Sequence, residues 1–471
     1  MGIWDIMRIS LTGMQTQQTA MEVVSHNVAN VSTPGYSREE AVINPLTPRQ
    51  QSGLFLGTGA TVSTIRDTED RFLNYSIFAT GQQLGNQDVA NKGLSQMEQV
   101  FNETGGAQGL SSAMDTFWNS WEDLASTPEN AASRYTLRGN AQVMVNQFHS
   151  LSSRLNDLAK DANNGVKGAT EQINGIVDQI KTLNGKISAI EAQGQTATDY
   201  RSERNNLMEQ LSTQIDYTYF EDKNGMVTIS LAGGTPLLEG TTSGSLQAQE
   251  NASNNGYYDV MYVSSTGAKT DITDQIKGGG IYGQLQMRDQ YTGQYRSQLD
   301  ELAYNMVNQV NSLHTTGYGL NGSTNNNFFS PLASATGAAA SISLDSAVQS
   351  DVNNIAAAST DNPGDNTLAN QIASLRDALT MNSGQSTFQD YYGSMVSDIG
   401  IESQNADSEY QRTSLVMQQY KTFRDSVSGV SLEEEMASLT MYQQAYQASA
   451  RLMNTANDLL TILSNMNTSI S

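Results

Sequence analysis

The chain contains no cysteine. A disulfide scaffold, a thiol nucleophile and a thiolate metal site are therefore excluded, and the chain is indifferent to redox conditions. Charge is scarce as well. Asp, Glu, Lys and Arg supply 15% of the 471 residues, against roughly 25% in ordinary globular chains. Basic residues are the scarcer sign, 25 against 48 acidic, which leaves a net charge of −23 at neutral pH. Binding to a phosphate backbone needs clustered Lys and Arg, so no nucleic acid partner is expected. No apolar run reaches the ~18 residues of a membrane-spanning helix, so no membrane insertion is expected either. The opening residues Gly2-Ile3-Trp4-Asp5-Ile6 lack the basic and long apolar segments of a secretory signal. By these rules alone the chain belongs in the cytosol. Its three histidines, His26, His149 and His314, lie far apart and outside any zinc-binding spacing.

What is present is helical periodicity. Hydrophobic residues make up 38% of the chain, enough to bury a core, and the length fits about two to four domains or one elongated subunit. Near the N-terminus Ile3, Met7, Leu11, Met14, Met21, Val24, Val28 and Val31 recur at helical steps. Gln18 interrupts this stripe and Ser32-Thr33-Pro34-Gly35 stops it. Near the C-terminus Ser431 and Glu434 form a capping-box pattern around a second stripe of Leu432, Met436, Leu439, Tyr442, Tyr446, Ala450, Met453, Leu460 and Leu463. The polar faces of both segments are mostly Ser, Thr, Asn, Gln and Ala. Such faces suit a helix whose back meets other protein, because an unpaired charge is costly to bury. A weakly amphipathic surface helix fits the periodicity equally well.

Between the ends, Leu110, Met114, Phe117, Trp121 and Leu124 form a short stripe closed by Thr127-Pro128. Two longer stripes follow, Leu137 to Leu158 and Ile173 to Ile190, and Asn163-Asn164-Gly165 between them predicts a break and a helical bundle. A single interrupted helix is the alternative. Composition then turns to β: Tyr217–Phe220, a turn at Asn224-Gly225 and Met226–Leu231 read as a hairpin, and Tyr257–Val263 as a further strand. Helix returns with Leu299, Leu302, Met306, Val310 and Leu313. A Gly/Asn/Ala/Ser-rich tract follows, with a strand expected at Ser341–Leu344, before helical stripes resume to the end.

No constellation carries recognisable chemistry. Gly278-Gly279-Gly280-Ile281-Tyr282-Gly283 matches a dinucleotide-loop pattern literally, but the polar stretch before it is no buried strand. Gly109-Leu110-Ser111-Ser112-Ala113 lacks the final glycine of a nucleophile elbow. No catalytic, cofactor-binding or metal-binding residue is assigned, and no cofactor is expected.

The strongest signal is a resemblance. Asn27-Val28-Ala29-Asn30-Val31-Ser32-Thr33-Pro34-Gly35-Tyr36-Ser37-Arg38 resembles the N-terminal signature of bacterial flagellar rod, hook and hook-associated proteins, and Pro34-Gly35-Tyr36-Ser37-Arg38 is most similar to the hook-associated branch. Tyr442-Gln443-Gln444-Ala445-Tyr446-Gln447 and the residues around it resemble the same family's C-terminal signature. Arg288-Asp289, Leu299-Asp300-Glu301-Leu302-Ala303, Val310-Asn311-Ser312-Leu313-His314 and Phe328-Phe329 add an internal match.

The resemblance implies a mainly α, elongated multi-domain subunit with an inserted β domain. Residues 1–35 and 430–471 would pair as a terminal coiled coil. Residues 36–215 and 284–429 would form a helical-bundle rod domain, and residues 216–283 a small outward β domain. The expected assembly seam comprises Met7, Leu11, Met14, Met21, Val24, Val28 and Val31 with Leu432, Met436, Leu439, Tyr446, Met453 and Leu460. By the same resemblance the chain is a non-enzymatic subunit joining hook to filament, exported by the flagellar type III system without a cleaved signal and located outside the cell. That reverses the cytosolic reading. Its implied partners are the hook protein, a second junction protein that adapts to the filament, copies of itself in a ring, and an export chaperone. A sister hook or distal-rod subunit, and a secreted enzyme carried on an axial scaffold, are the alternatives.

Overall fold

The computed structural model describes residues 2–51, 53–102 and 109–468, so the extreme residues of the expected terminal domain lie outside the described residues. Helix α1 (Ile3–Ala29) ends before Val31, which is exposed beyond it. Four short strands follow: β1 (Glu39–Pro45), β2 (Arg49–Gln51), β3 (Leu54–Leu56) and β4 (Ala60–Asp67). β1 pairs with β4 and β2 with β3, both antiparallel. The expected helical rod domain of residues 36–215 therefore opens on strands. β2 and β3 are only three residues long and β1 ends on Pro45, so the strands carry no sustained alternating apolar signal.

Helix α2 (Arg71–Phe101) starts where the Asp70 carboxylate accepts from the N–H groups of Phe72 and Leu73. Helix α3 (Leu110–Ser126) buries its whole predicted stripe. Helix α4 (Ala131–Glu191) is one helix of 61 residues, roughly 90 Å long at 1.5 Å per residue. The break expected at Asn163-Asn164-Gly165 is absent. Gly165 serves packing instead: a Cβ there would sit 2.5 Å from the Gln284 side-chain carbon Cδ. Asn163 is held inside the helix, its Oδ1 accepting from Tyr258 N–H at 2.8 Å and from Arg288 Nη1 at 3.1 Å.

After helix α5 (Thr198–Gln214) come β5 (Tyr217–Glu221), β6 (Val227–Leu231), β7 (Pro236–Glu239) and β8 (Thr242–Ser243), one four-stranded sheet. β9 (Ser245–Glu250), β10 (Tyr258–Val263) and β11 (Lys269–Asp271) form a three-stranded sheet with β10 central. The predicted hairpin is β5–β6, with Gly225 at φ 76° in its turn. Helix α6 (Gly279–Leu285) passes through a π-helical turn at Gln286–Tyr291 into α7 (Thr292–His314). The Gly/Asn/Ala/Ser-rich tract folds into β12 (Tyr318–Gly319), α8 (Ala338–Ser341), α9 (Ser346–Ser350), β13 (Ala356–Ala358) and α10 (Thr367–Ala373). At the expected strand, Ser341 ends a helix and Leu344 makes one isolated bridge with Phe329. Two long helices finish the chain, α11 (Phe388–Ser428) and α12 (Leu432–Thr468).

Two hydrophobic cores organise these elements. The first takes the C-terminal end of α2, then α3, the N-terminal half of α4, α7 and the residues around Phe328, Ile355 and Phe388. The second takes the start of α2, the C-terminal half of α4, α5, and the inner faces of β5–β10. The β segment expected at 216–283 is a small β-sheet domain whose inner face shares its core with α4. Val227, Ile229, Leu237 and Val260 pack with Ile173, Val177, Ile180 and Leu183 of α4. Two α4 asparagines pin the strands: Asn184 bonds the backbone of Val227 and Gly240, and Asn174 that of Leu246.

In the first core His314 is fully buried, its Nδ1 facing Asn326 O at 2.7 Å and its Nε2 accepting from Ala356 N–H at 2.9 Å. Nδ1 must therefore carry the proton and donate it, which fixes the neutral tautomer. Burial pushes its pKa down to about 4. The unfolded chain takes up that proton near pH 6.5, so the stabilisation is complete above that value and fades as pH falls toward 4.

Two outcomes are expected. Thermal unfolding between pH 7 and pH 5 should lose roughly 1–2 kcal/mol through this residue, and His314→Asn should be less stable at pH 7 but flatter in that window. Deleting residues 216–283 should expose the α4 face and abolish cooperative melting of the second core by calorimetry, whereas a self-contained module would leave it intact.

Candidate functional site: a clasp where the chain ends meet

The N-terminal signature folds into an internal clasp. Asn27, only 1% exposed, sits two residues before α1 ends, and every polar atom of its amide is used. Its Nδ2 donates to Glu39 O at 2.9 Å and to Glu435 Oε2 at 3.1 Å. Its Oδ1 accepts from Glu39 N–H at 2.9 Å and from the Tyr36 hydroxyl at 3.0 Å. One side chain therefore ties α1 to the start of β1, to the Tyr36 turn and to the first turn of α12.

The remaining signature residues support it. Pro34 presents its carbonyl to Asn206 Nδ2 of α5 at 3.1 Å. Gly35 has φ 72°, and a Cβ there would collide with the Asn206 amide, so backbone conformation and space both demand glycine. Arg38 donates its N–H to Ser428 O at 2.8 Å and pairs with Glu434 at 2.9 Å and Glu435 at 2.8 Å. Glu435 is 1% exposed, and a buried carboxylate is tolerated only with such a partner. Glu434, expected in a capping box, is thus also engaged across the clasp. Asn30 Nδ2 meets His26 Nε2 at 3.1 Å; Ser37 lies half-buried in the same loop. Burial first, then the Glu39, Asp199 and Glu435 carboxylates, hold the Tyr36 hydroxyl protonated well above its ordinary range.

His26, Glu39 and Asp199 bring one imidazole and two carboxylates within 4.8 Å of one another. Hydrogen bonding accounts for this group. Glu39 faces His26 Nδ1 at 3.1 Å and accepts from the Thr198 hydroxyl, while Asp199 is largely solvent-exposed.

Below the clasp, α1 and α12 run antiparallel side by side. Asn27 meets Glu435, and Gly13 lies against Ser449, a Cβ on Gly13 reaching within 3.0 Å of the serine hydroxyl. Both contacts lie fourteen residues apart on each helix, one common register. The lines that face inward recur every seven residues: Gly13, Ala20 and Asn27 on α1, and Glu435, Tyr442, Ser449 and Ala456 on α12. The contact is therefore built mainly of small and polar residues.

Comparison with known proteins fits this geometry. The sequence pattern described as "Flagellar hook-associated protein FlgK helical domain" matches residues 94–329. The chain belongs to this flagellar hook-associated family. Patterns described as "Flagella basal body rod protein" and "Flagellar basal body rod FlgEFG protein C-terminal" match residues 7–36 and 424–466, the two halves of the clasp and helix pair. Flagellar hook-associated protein 1 of Bacillus subtilis is 27% identical, with 95% of each chain covered. Its Escherichia coli counterpart is 24% identical over 97% of this chain and 98% of its own. The solved flagellar hook junction protein FlgK from Burkholderia pseudomallei is similar in fold, with a TM-score of 0.68 and 15% identity over 75% of this chain and all of that one. The family is one of flagellar structural proteins.

The predicted seam residues are distributed unevenly. Val24 is buried; Met7, Met14, Met21, Val28, Leu439, Met453 and Leu460 are half-buried; Leu11, Val31, Leu432, Met436 and Tyr446 are exposed. On α12 the contact line shares Tyr442 with the apolar stripe, and the half-buried Leu439, Met453 and Leu460 border it. Periodicity finds large apolar side chains, whereas close helix approach needs small ones. Gln443, Gln444 and Gln447 are exposed. Glu39, Glu435, Thr198 and Asn206 were missed as clasp members, since only the fold brings them together.

Asn27→Leu should leave the Tyr36 hydroxyl and Glu39 N–H unsatisfied and Glu435 short of a donor, at a cost of about 2–4 kcal/mol. Hydrogen exchange should show lost protection in α1 and the first turns of α12, with the two cores unchanged.

Proposed function

We propose that this chain is the structural subunit that joins the flagellar hook to the filament, with no enzymatic activity, exported by the flagellar type III system and assembling outside the cell with copies of itself. Its neighbours in this reading are the hook protein on one side and a second, filament-adapting junction protein on the other, with an export chaperone before assembly. The exposed seam residues, Leu11, Val31, Leu432, Met436 and Tyr446, enter it as contacts between copies.

The observation that carries this reading is the surface of α12. Leu432, Met436 and Tyr446 lie exposed on one flank of the line that meets α1, and Met441, Leu452, Leu459 and Ile462 lie exposed on the other. Apolar surface of this extent on a solvent-facing helix marks a place for protein contacts. Two such flanks on opposite sides of one helix pair suit a neighbour on each side, as a ring of copies requires. Among the described residues no helix is long and apolar enough to cross a membrane, so the flanks are not explained by a bilayer span. The match at 94–329 favours the junction protein over a sister rod or hook subunit, whose patterns match only the chain ends.

Met436→Asp tests the reading. Met436 is 53% exposed, so the monomer should fold and melt as the wild type does. In cells lacking the natural protein, the variant should be exported yet shed into the medium together with filament protein. Gln444→Asp, on the face turned away from both flanks, should retain most filaments. Equal filament loss in both variants would refute the two-flank assembly.

A further inference from the structure

The level between the two hydrophobic cores lacks what the cores have. On α4 the first core ends at Ala162 and the second begins at Val166; on α2 the second ends at Phe78 and the first begins at Leu94; along α6 and the π turn the change falls between Leu285 and Met287. At that level the contacts are made by glycine. Gly85 of α2 lies against the start of α6, where a Cβ would be 3.0 Å from Gly280 N. Gly283 of α6 lies against α2, where a Cβ would be 2.7 Å from the Val89 Cβ and 2.9 Å from Asn86 O. Gly93 and Gly165 each receive a side chain instead, that of Met287 and that of Gln284.

Polar groups fill the rest. Arg288, fully buried, donates to Asn163 Oδ1 at 3.1 Å and Tyr258 O at 2.6 Å, pairs with Asp289 and stacks on Tyr257. An open groove of about 540 Å³, lined by Gly85, Gly165, Gly168, Gly280 and Tyr410, leaves one side of this level unfilled.

We infer that this glycine-lined waist is a bending joint on which the two lobes tilt. Interlocked apolar side chains make each core stiff. Across the waist the side chains that bridge two helices, Val89, Met287 and Gln284, each lie against a glycine and meet no facing side chain there to interlock with, and glycine leaves each helix locally soft by about 1 kcal/mol relative to alanine. Helix bends concentrate at glycine and at π turns, and both occur here at one height. The Arg288 bonds are tethers that can swivel, and the groove is space into which the lobes can close. The inference concerns the isolated chain and stands independently of the junction role.

The absence of cysteine permits the test on the whole chain. Spin labels at Gln179→Cys and Asn308→Cys, both exposed, span the waist; labels at Gln142→Cys and Asn308→Cys stay within the first lobe. Pulsed electron paramagnetic resonance should give a distance distribution about twofold broader for the spanning pair. Gly168→Ala, where a Cβ meets nothing within 4 Å, should narrow it. Gly139→Ala, equally unobstructed but outside the waist, should not. Equal widths for the two label pairs, or equal effects of the two alanines, would overturn the joint.

Discussion

The architecture depends on the Asn27 carboxamide. A chain whose first and last helices must lie together needs a fixed point from which both depart, and this amide provides it. Four hydrogen bonds saturate it, and they reach α1, β1, the Tyr36 turn and α12 at once. Arg38 neutralises the carboxylate that this arrangement buries, Glu435. Gly35 lets the turn pass Asn206 without a side chain. The departure angle of the helix pair is thus set by polar geometry, which tolerates little displacement, and the apolar surface of the pair is left for other partners.

From that fixed point the structure reads as a succession of stiff and compliant parts. The clasp holds the helix pair to the second core, α2 and α4 carry the connection on to the first, and the glycine-lined waist interrupts it. Within the cores the buried polar groups are pinned: Asn184 and Asn174 bind strand backbone, and His314 spends both ring nitrogens on main-chain partners.

Much of this was legible in the sequence where one physical rule dominated. The stripes of α3, α4 and α7 predicted buried faces correctly, because large apolar residues at helical spacing have few other uses. The β5–β6 hairpin followed from Asn224-Gly225. The failures share a cause. Asn163-Asn164-Gly165 looked like a break, yet its residues are satisfied by Tyr258, Arg288 and Gln284, which local reading cannot see. The β1–β4 strands carry too little alternation. The clasp motif was visible as residues, but its partners Glu39, Glu435, Thr198 and Asn206 are distant in the chain. Gly13, Ala20 and Ser449 on the α1–α12 contact stand outside the expected seam, because glycine, alanine and serine leave no mark on a hydrophobicity pattern.

The separation of Asn27 from Glu435, 408 positions along the chain, has a kinetic consequence. Closing a loop of that size costs about 5 kcal/mol of chain entropy beyond a fixed constant. Beforehand α1 has only its neighbours β1, β4 and the Tyr36 turn to pack on. Whatever delivers the polypeptide end first, α1 emerges long before α12 exists to receive it. The two cores, whose α2–α5 segments are contiguous, can form in the interval, and the clasp must close last. The earliest residues to appear therefore spend the longest time without their partner, and Asn, Gln, Ser and Thr make up much of the face that waits.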